Sequence, residues 1–203
     1  MTAFNAKKYD KLYPNRDREI QFLLENLKGK TVLDVGGGTG MLSVALEKTG
    51  FKCTNIEPQP EMAKESMIKG IITAIVSIED FIPTQKYDNV IMVFDVFNFL
   101  KDPQKALKNI ASILKGRLIF TYWNNEVKKS GWEFNWKLKR LSRKVWTGDK
   151  VKIDFWFPFW HETHNLTVYP HSVIREWLYK SGFKVILKEK EKYITKMVCE
   201  SHT

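Results

Sequence analysis

The sequence predicts an α/β fold, in which a doubly wound, mostly parallel sheet of seven strands carries helices on both faces and has an antiparallel last strand. Short apolar or β-branched runs alternate along the chain with segments whose apolar residues recur at helical spacing, and this alternation indicates a parallel sheet. The last two runs are separated by too few residues for a helical crossover. They are therefore expected to pair antiparallel, with the reversed strand at the sheet edge.

The first part of the chain alternates between helices and strands and begins with a helix. Ile20, Leu23 and Leu27 fall on one helical face, which indicates an amphipathic helix. The next two helices begin at Met41 and Pro60. The predicted elements are a helix at 15–28, a strand at 31–35, a helix from Met41 to Gly50, a strand at 52–57, a helix at 60–69 and a strand at 72–76.

The second part of the chain continues the same alternation. The fourth strand, residues 89–94, is apolar throughout, as expected of a strand that helices cover on both faces. Asp102 and Pro103 are the residue types that favour a helix N-cap and the first helical position, and Gly116 is expected to end that helix. The remaining predicted elements are a strand at 117–122, a helix from Ser172 to Gly182, and strands at 183–189 and 192–198.

Length and composition are typical of a soluble, globular protein of one domain. The 203 residues suffice for one sizeable core, and 43% hydrophobic with 28% charged residues fits this class. An apolar leader and a run of about 18 apolar residues are both missing, which argues against a signal peptide and a membrane span. Two distant cysteines, Cys53 and Cys199, indicate a reduced, cytoplasmic protein. The net charge of +10 favours acidic partners or reflects a lysine-rich proteome.

A glycine-rich turn, "DVGGGTG", follows the first strand at residues 34–40. In a doubly wound sheet, ligands bind at the carboxyl ends of the strands, next to this turn. Glycine lets the backbone approach a ligand with no Cβ between them. The spacing differs from the dinucleotide fingerprint G-x-G-x-x-G, because Met41 stands where that pattern needs its last glycine. For the glycines alone, the alternative is a tight turn that packs a helix closely.

The turn resembles the first motif of the class I S-adenosylmethionine-dependent methyltransferases, which has the form (D/E)-x-G-x-G-x-G. The resemblance covers about residues 9–200 and is loose over 124–168. It implies a Rossmann-like methyltransferase fold, S-adenosylmethionine as cofactor, and a single domain over residues 1–203 with 124–168 as an inserted lid. The turn residues for which it implies cofactor contacts are Asp34, Gly36, Gly37, Gly38 and Gly40.

The resemblance also assigns cofactor contacts after the second and third strands. Glu57 lies 17 residues after Gly40, where a carboxylate accepts hydrogen bonds from two ribose hydroxyls. A solvated acid at the strand end is the alternative for Glu57. Ser77 and Ile78 occupy the positions that flank the adenine, although the family often has aspartate in place of Ser77. Capping of the following turn is the alternative for Ser77.

The predicted fourth strand ends at Phe94 and Asp95 follows it, in the segment where the family lines the methionine half of the cofactor and faces the methyl acceptor. Asp95 is a candidate to hold the cofactor ammonium, to orient a substrate amine or to accept a proton. Capping of the next helix is its alternative role. Many relatives carry a histidine near Phe99, and this chain does not. A tyrosine, Tyr9 or Tyr13, is expected over the cofactor carboxylate, with surface packing as the alternative.

The predicted lid combines aromatic and basic side chains, with five of the seven tryptophans of the chain. Residues 124–152 contain nine basic and three acidic residues, and the basic ones run from 128 to 152. Three roles remain open: a cover for an apolar or aromatic small substrate, a site for nucleic acid or another anionic acceptor, and a basic amphipathic helix on an anionic membrane. The apolar face of that helix is formed by Phe134, Leu138, Leu141 and Val145.

His161 and His164 are candidate general bases, because histidine ordinarily titrates near neutrality. A packed or surface histidine is the alternative for each. Their spacing is not that of the zinc motif H-E-x-x-H, and the segment has no cysteine and no clear third ligand, so no metal site is expected.

These features predict an enzyme of the EC 2.1.1 type, an S-adenosylmethionine-dependent methyltransferase that transfers a methyl group to an O, N or C nucleophile of a small molecule. The alternatives are a methyltransferase for RNA or another anionic acceptor, and a non-catalytic relative that only binds the cofactor. A nicotinamide oxidoreductase is disfavoured by Met41. Since an activated methyl group mainly needs alignment with its acceptor, no obligatory catalytic triad is expected.

Overall fold

A computed structural model describes residues 6, 9–10, 16–124, 130–136, 140–157, 160–191 and 193–201. The helices and strands predicted for the scaffold are present, with ends that differ by a few residues. The elements, in chain order, are α1 (Asp17–Asn26), β1 (Thr31–Val35), α2 (Met41–Lys48), β2 (Lys52–Ile56), α3 (Pro60–Ile68), β3 (Ile72–Ala74), β4 (Tyr87–Met92), α4 (Val96–Phe99), α5 (Pro103–Ile113), β5 (Leu114–Trp123), β6 (Gly131–Asn135), β7 (Arg140–Thr147), β8 (Lys150–Phe157), β9 (Trp160–Thr167), α6 (His171–Lys180), β10 (Phe183–Lys190) and β11 (Ile194–Ser201).

The main sheet has seven strands in the order β10-β11-β5-β4-β1-β2-β3. β1 pairs in parallel with β2 and β4, β2 with β3, and β4 with β5. β11 runs antiparallel to both of its neighbours, β5 and β10. The predicted doubly wound, mostly parallel sheet with an antiparallel last strand is therefore confirmed.

The reversed strand lies inside the sheet, so the prediction that it forms the edge is wrong. β11 takes the position next to β5, and β10 becomes the edge strand. Burial explains the order, because Thr195–Cys199 of β11 are all buried whereas β10 alternates and ends in exposed residues. The more apolar strand of the hairpin is covered on both faces, and the charged one meets water.

Helices cover both faces of this sheet. Val32 belongs to a core under α1 and α2, and the next residue, Leu33, belongs to a larger core under α5 and α6. This switch follows from the alternation of side chains along a strand. None of the helices in the described ranges is long and apolar enough to cross a membrane.

The helix before β5 begins as predicted and ends differently. The side chain of Asp102 caps it, since its Oδ1 accepts a hydrogen bond from the backbone N–H of Lys105 at 3.0 Å. Gly116, predicted to end the helix, lies in β5. A Cβ there would stand 2.5 Å from the carbonyl oxygen of Asp88, so the glycine permits close approach to the neighbouring chain segment.

The segment predicted as a lid folds as a second sheet, antiparallel in the order β6-β7-β8-β9, so the amphipathic helix considered for it is wrong. Gly148 and Asp149 form a two-residue turn between β7 and β8, with Gly148 at φ +64, as tight hairpins require. Leu138, one residue of the expected helix face, lies outside the described residues. Short apolar runs fit either a strand or a helix, and aromatic enrichment here favours the strand.

One face of the second sheet packs against the main sheet. Val151, Ile153 and Leu166 form a small core, against which Phe99 and Trp123 pack. Phe99 ends α4 and Trp123 ends β5, so both belong to the carboxyl edge of the parallel strands. The second sheet therefore covers the edge where doubly wound folds bind ligands.

Candidate functional site

The glycine turn between β1 and α2 has a backbone that other residues adopt at a cost. Gly36, Gly38 and Gly40 have φ of +65, +58 and +76, the region in which only glycine is free of strain. A Cβ on Gly36 would also lie 2.8 Å from the side chain of Val96. The turn thus presents main chain at the start of α2, at the carboxyl edge of the sheet.

Side chains from β2 hold the turn from behind. The Asn55 Oδ1 accepts a hydrogen bond from the N–H of Gly37 at 3.1 Å, and its Nδ2 donates to the carbonyl of Gly38 at 3.2 Å. The carboxylate of Glu57 accepts the N–H of Gly38 at 3.0 Å. Two buried polar residues at the end of one strand therefore hold the turn in its conformation. Asn55, one of them, was not among the residues predicted for the site.

Glu57 is not the solvated strand-end acid considered as its alternative role. Its residue is 5% exposed, and its second oxygen accepts the N–H of Gln59 at 2.9 Å. Burial raises the pKa of this carboxyl, while the hydrogen bonds from Gln59 and Gly38 oppose the rise. Each carboxylate oxygen keeps a lone pair beyond these bonds, so Glu57 can accept further hydrogen bonds.

A cavity opens over the turn. Phe94 and Val96, which follow the end of β4, form part of its lining. Asp34 lies at its base, fully buried, and accepts a hydrogen bond from the Ser43 hydroxyl at 2.8 Å. Burial raises the pKa of Asp34 to about 6, against the Ser43 hydrogen bond and the positive charge of Arg16. The cavity therefore brings a buried carboxyl group next to the backbone of the glycine turn.

Arg16 brings a cation into this cavity, and the sequence analysis missed it. Its guanidinium lies 4.5 Å from the ring centre of Phe94 and 5.4 Å from that of Tyr9. The residue is 6% exposed, and its Nε is buried with no hydrogen-bond partner among the described residues. The sequence places it in the first turn of the helix predicted over 15–28, and nothing in that local pattern marks it as a residue of the site.

The N-terminal segment is tied to the glycine turn. Asp10 accepts a hydrogen bond from Lys69 Nζ at 2.6 Å and another from the hydroxyl of Thr39. Lys69 also donates to the carbonyl oxygen of Thr39 at 2.7 Å. Tyr9, one residue earlier, lines the cavity, as expected of an N-terminal tyrosine, and Tyr13 lies outside the described residues.

Two consecutive residues after β4 have a left-handed backbone without being glycine. Phe94 has φ 57 and Asp95 has φ 67, a conformation that costs on the order of 1 kcal/mol or more at each residue. The strand ends at Met92, so both lie in the turn beyond it. The Asp95 side chain makes no capping hydrogen bond to α4, so it does not have the helix-capping role that was considered as the alternative.

The carboxyl of Asp95 lies near residues of both sheets, Trp123 of the main sheet and His164 and Lys144 of the second sheet. The side chain of Trp123 is near enough to influence its pKa, and its Oδ1 is buried without a hydrogen bond from any described residue. Burial raises the pKa of Asp95 to about 6, while the Trp123 side chain and the positive charges of His164 and Lys144 oppose the rise. A group that is half protonated near pH 6 can exchange a proton near neutrality.

The structure separates the two histidines that were predicted as bases. His164 lies on the inner face of the second sheet, where its ring packs against Phe99 at 5.7 Å, on the side of Asp95. His161 lies on the outer face, 42% exposed, stacked on Trp156 with 5.1 Å between ring centres. His164 is close enough to influence Asp95, and His161 is directed away from it.

The residues predicted around an adenine lie outside the lining of the cavity. The hydroxyl of Ser77 donates to Asp80 Oδ2 at 3.1 Å, which resembles the turn-capping alternative. Ile78 is 2% exposed and belongs to the core under α5. Within the described ranges, no group of three or more histidine, cysteine, aspartate or glutamate residues is arranged to hold a metal ion.

Comparison with known proteins finds methyltransferases. A family model described as "Methyltransferase domain" matches residues 7–188. A ubiquinone biosynthesis O-methyltransferase of Coxiella burnetii is 32% identical over 111 residues, which make up 50% of this chain and 47% of that protein. The chain thus spans about half the length of the curated relatives it matches.

Solved structures share the fold over nearly the whole chain. The CcbJ methyltransferase of Streptomyces caelestis has a TM-score of 0.84 at 12% identity and covers 98% of this chain and 96% of its own. An S-adenosylmethionine-dependent methyltransferase of Clostridium acetobutylicum has a TM-score of 0.77 at 20% identity, over 98% and 93%. The Rossmann-like methyltransferase fold is therefore confirmed.

Proposed function

The chain belongs to the class I S-adenosylmethionine-dependent methyltransferase family, and on this premise we propose that it transfers a methyl group from S-adenosylmethionine to an O, N or C nucleophile of a small molecule. The observation that carries the proposal is the glycine turn over which an acid and a cation share one cavity. We propose a single domain over residues 1–203 with 124–168 as its lid.

The residues of the cavity fit this cofactor. The buried Arg16 Nε without a partner suits the cofactor carboxylate, and Asp34 or Asp95 suits its ammonium group. The Gly36 position, where a Cβ would collide with a neighbour, forms a bare backbone cradle. Glu57, with spare acceptor capacity, suits the two ribose hydroxyls. We propose that Ser77 and Ile78, which lie outside the lining of this cavity, flank the adenine. Phe94, which lines the cavity, would form the wall beside the sulfur.

When bound, S-adenosylmethionine supplies a methyl group on a cationic sulfur. The chain then has to align an acceptor and keep water away, and alignment alone can lower a barrier by about 7–11 kcal/mol. Asn98 connects the lid to the main sheet. Its Nδ2 donates to the Thr167 carbonyl at 2.8 Å, and its Oδ1 accepts a hydrogen bond from the backbone N–H of Trp123 at 2.8 Å. We propose Asp95 as the proton acceptor, with His164 beside it. His161 is a weaker candidate because of its outward position.

A small-molecule acceptor is favoured by the names of the relatives and by the enclosed inner face of the lid. One of the similar structures is an amino pentose methyltransferase, and the matched curated proteins act in ubiquinone biosynthesis. The acceptors that these names indicate are thus chemically diverse. A location in the cytoplasm stays a prediction, which the two buried free cysteines fit.

The outer face of the lid supports a second proposal, contact with polyanions such as RNA or an anionic membrane. Trp132 and Trp136 are 61% and 84% exposed, and Arg143 lies 5.4 Å from the Trp132 ring centre. Exposed rings beside cations bind both nucleic acid and lipid headgroups. We expect retention on poly(U) or phosphatidylglycerol vesicles at about 50 mM salt that is lost at about 300 mM. Equal retention at both salt concentrations, or none, would contradict this.

Calorimetry tests the main proposal. We expect S-adenosylhomocysteine, the demethylated cofactor, to bind with a micromolar dissociation constant, which corresponds to a binding free energy of about −8 kcal/mol. We expect no binding of NAD. A panel of phenols, amines and amino sugars, assayed for release of S-adenosylhomocysteine, then separates an enzyme from a non-catalytic relative. Absence of binding by S-adenosylhomocysteine and S-adenosylmethionine would overturn the proposal.

A further inference from the structure

A second cavity, with a volume of about 270 Å³, lies between the end of β5, the start of β11 and the first hairpin of the lid. The described part of its lining combines aromatic residues with one cation and one acid. The side chains that the argument uses are Trp123, Trp146, Tyr193, Lys144 and Glu133.

Trp123 connects this cavity to the proposed methyl-transfer site. Trp123 lines the cavity, and its side chain is near enough to the carboxyl of Asp95 to lower the pKa of that group. In sequence, Asp95 stands between Phe94 and Val96, which both line the first cavity. The turn that carries Asp95 therefore contributes to the first cavity and has Trp123 of the second cavity as a neighbour.

Lys144 gives the second cavity its charge. Its Nζ lies 5.3 Å from the ring centre of Trp123 and 5.5 Å from that of Tyr193. Its ion pair with Glu133 is long, 3.4 Å, and the Glu133 side chain is 65% exposed. Such exposed pairs contribute little and can be exchanged for a better-placed anion. Lys144 is only 26% exposed, so its charge is directed into the cavity region.

We propose that the second cavity binds the methyl acceptor, and that this acceptor is a planar aromatic molecule with an anionic substituent. The inference rests on the proposed function and adds the substrate class. Aromatic walls select flat rings, which gain both buried area and ring contacts. The volume suits a molecule of one or two fused rings. Lys144 pairs with the anionic group and repels cationic acceptors, and the nucleophile lies toward Asp95.

Three ligands that differ only in charge test this inference: 2-naphthoate, 2-naphthol and 2-naphthylmethylammonium. Each is titrated by calorimetry at pH 7.5 into the full chain saturated with S-adenosylhomocysteine. We expect naphthoate to bind about tenfold more tightly than naphthol, and the ammonium compound most weakly. Lys144→Met should abolish the preference for naphthoate and leave naphthol within about twofold.

Lys152→Met is the matched control, because Lys152 is a 54% exposed lysine of the same sheet that points to its outer face. It removes the same charge and should preserve the preference. Tyr193→Leu, a change at a 43% exposed ring that lines the cavity, should weaken all three ligands and serves if Lys144→Met does not fold. Melting temperature and S-adenosylhomocysteine affinity should match the wild type in every variant.

Several results would overturn the inference. These are no binding of naphthoate by wild-type protein, an unchanged preference in Lys144→Met, equal losses in Lys144→Met and Lys152→Met, or full affinity in Tyr193→Leu. In each of these cases intact S-adenosylhomocysteine binding leaves the proposed methyltransferase function standing. Loss of S-adenosylhomocysteine binding in the wild type would instead overturn that function.

Discussion

Replacing Glu57 with alanine is expected to weaken the binding of S-adenosylhomocysteine by about 100-fold, because the variant loses two charge-assisted hydrogen bonds to the ribose. It also leaves the N–H groups of Gly38 and Gln59 without the acceptors that hold them at 3.0 and 2.9 Å. Glu57→Gln keeps the shape and one acceptor oxygen, so we expect a smaller loss of about tenfold. Calorimetry with purified variants measures both.

Protein stability separates a binding role from a structural one for Glu57. Burial raises the pKa of this carboxyl, so its charged form is disfavoured in the folded protein. Glu57→Gln should therefore melt at or above the wild-type temperature at pH 8 although it binds ligand less tightly. Glu61→Gln, a change at an exposed acid in the first turn of α3, is the matched control and should alter neither quantity. Unchanged affinity in Glu57→Ala would contradict the assignment of the ribose site.

The scaffold of this protein could be predicted because its signals are local. Apolar alternation places β1 and β4, and Asp102 with Pro103 marks a helix start that the structure contains. The glycines at 36, 38 and 40 have the positive φ that explains their presence in the turn. Each of these features depends on residues that are neighbours in sequence, so sequence analysis alone reaches them.

Features that depend on distant contacts were missed. The position of β11 beside β5 follows from which of two hairpin strands is covered on both faces, and neither strand reveals this alone. Lid residues 131–167 form strands because they pair with each other, although short apolar runs also fit a helix. Arg16 reaches Phe94 across 78 residues of sequence and Trp123 reaches Asp95 across 28, and no local pattern marks either of them.

Replacing Asp95 with asparagine is expected to lower kcat by a factor of about 10² to 10⁴ for an acceptor that must lose a proton, since a positioned base contributes this much. The pKa of Asp95 is raised to about 6 by burial, so the carboxylate form predominates above that pH. Wild-type kcat should rise as pH rises through about 6 and then level off, and Asp95→Asn should lose this rise. Binding of S-adenosylhomocysteine should change by less than about tenfold.

A stability measurement checks the same residue without activity. The pKa of Asp95 in the folded protein, about 6, lies above its ordinary value of 3.8, so the stabilising form is the protonated one. Its contribution is complete below pH 3.8 and is lost as pH rises to about 6. At pH 8, Asp95→Asn should therefore melt at a higher temperature than the wild type, and its free energy of unfolding should be larger by up to about 3 kcal/mol. At pH 4 the gain in unfolding free energy should be much smaller.

The control for Asp95 is Asp149→Asn, a change at an exposed acid of the lid hairpin that should leave kcat, its pH profile and the melting temperature unchanged. The two Asp95 readouts can also disagree, and the disagreement is informative. A stabilised Asp95→Asn variant with full activity would show that the carboxyl is buried for a reason other than proton transfer. A destabilised and inactive variant would show that Asp95 holds Trp123 and the lid in place. Only stabilisation at pH 8 together with a lost pH-dependent rise in kcat identifies Asp95 as the base, because a buried carboxyl without a catalytic role does not produce both.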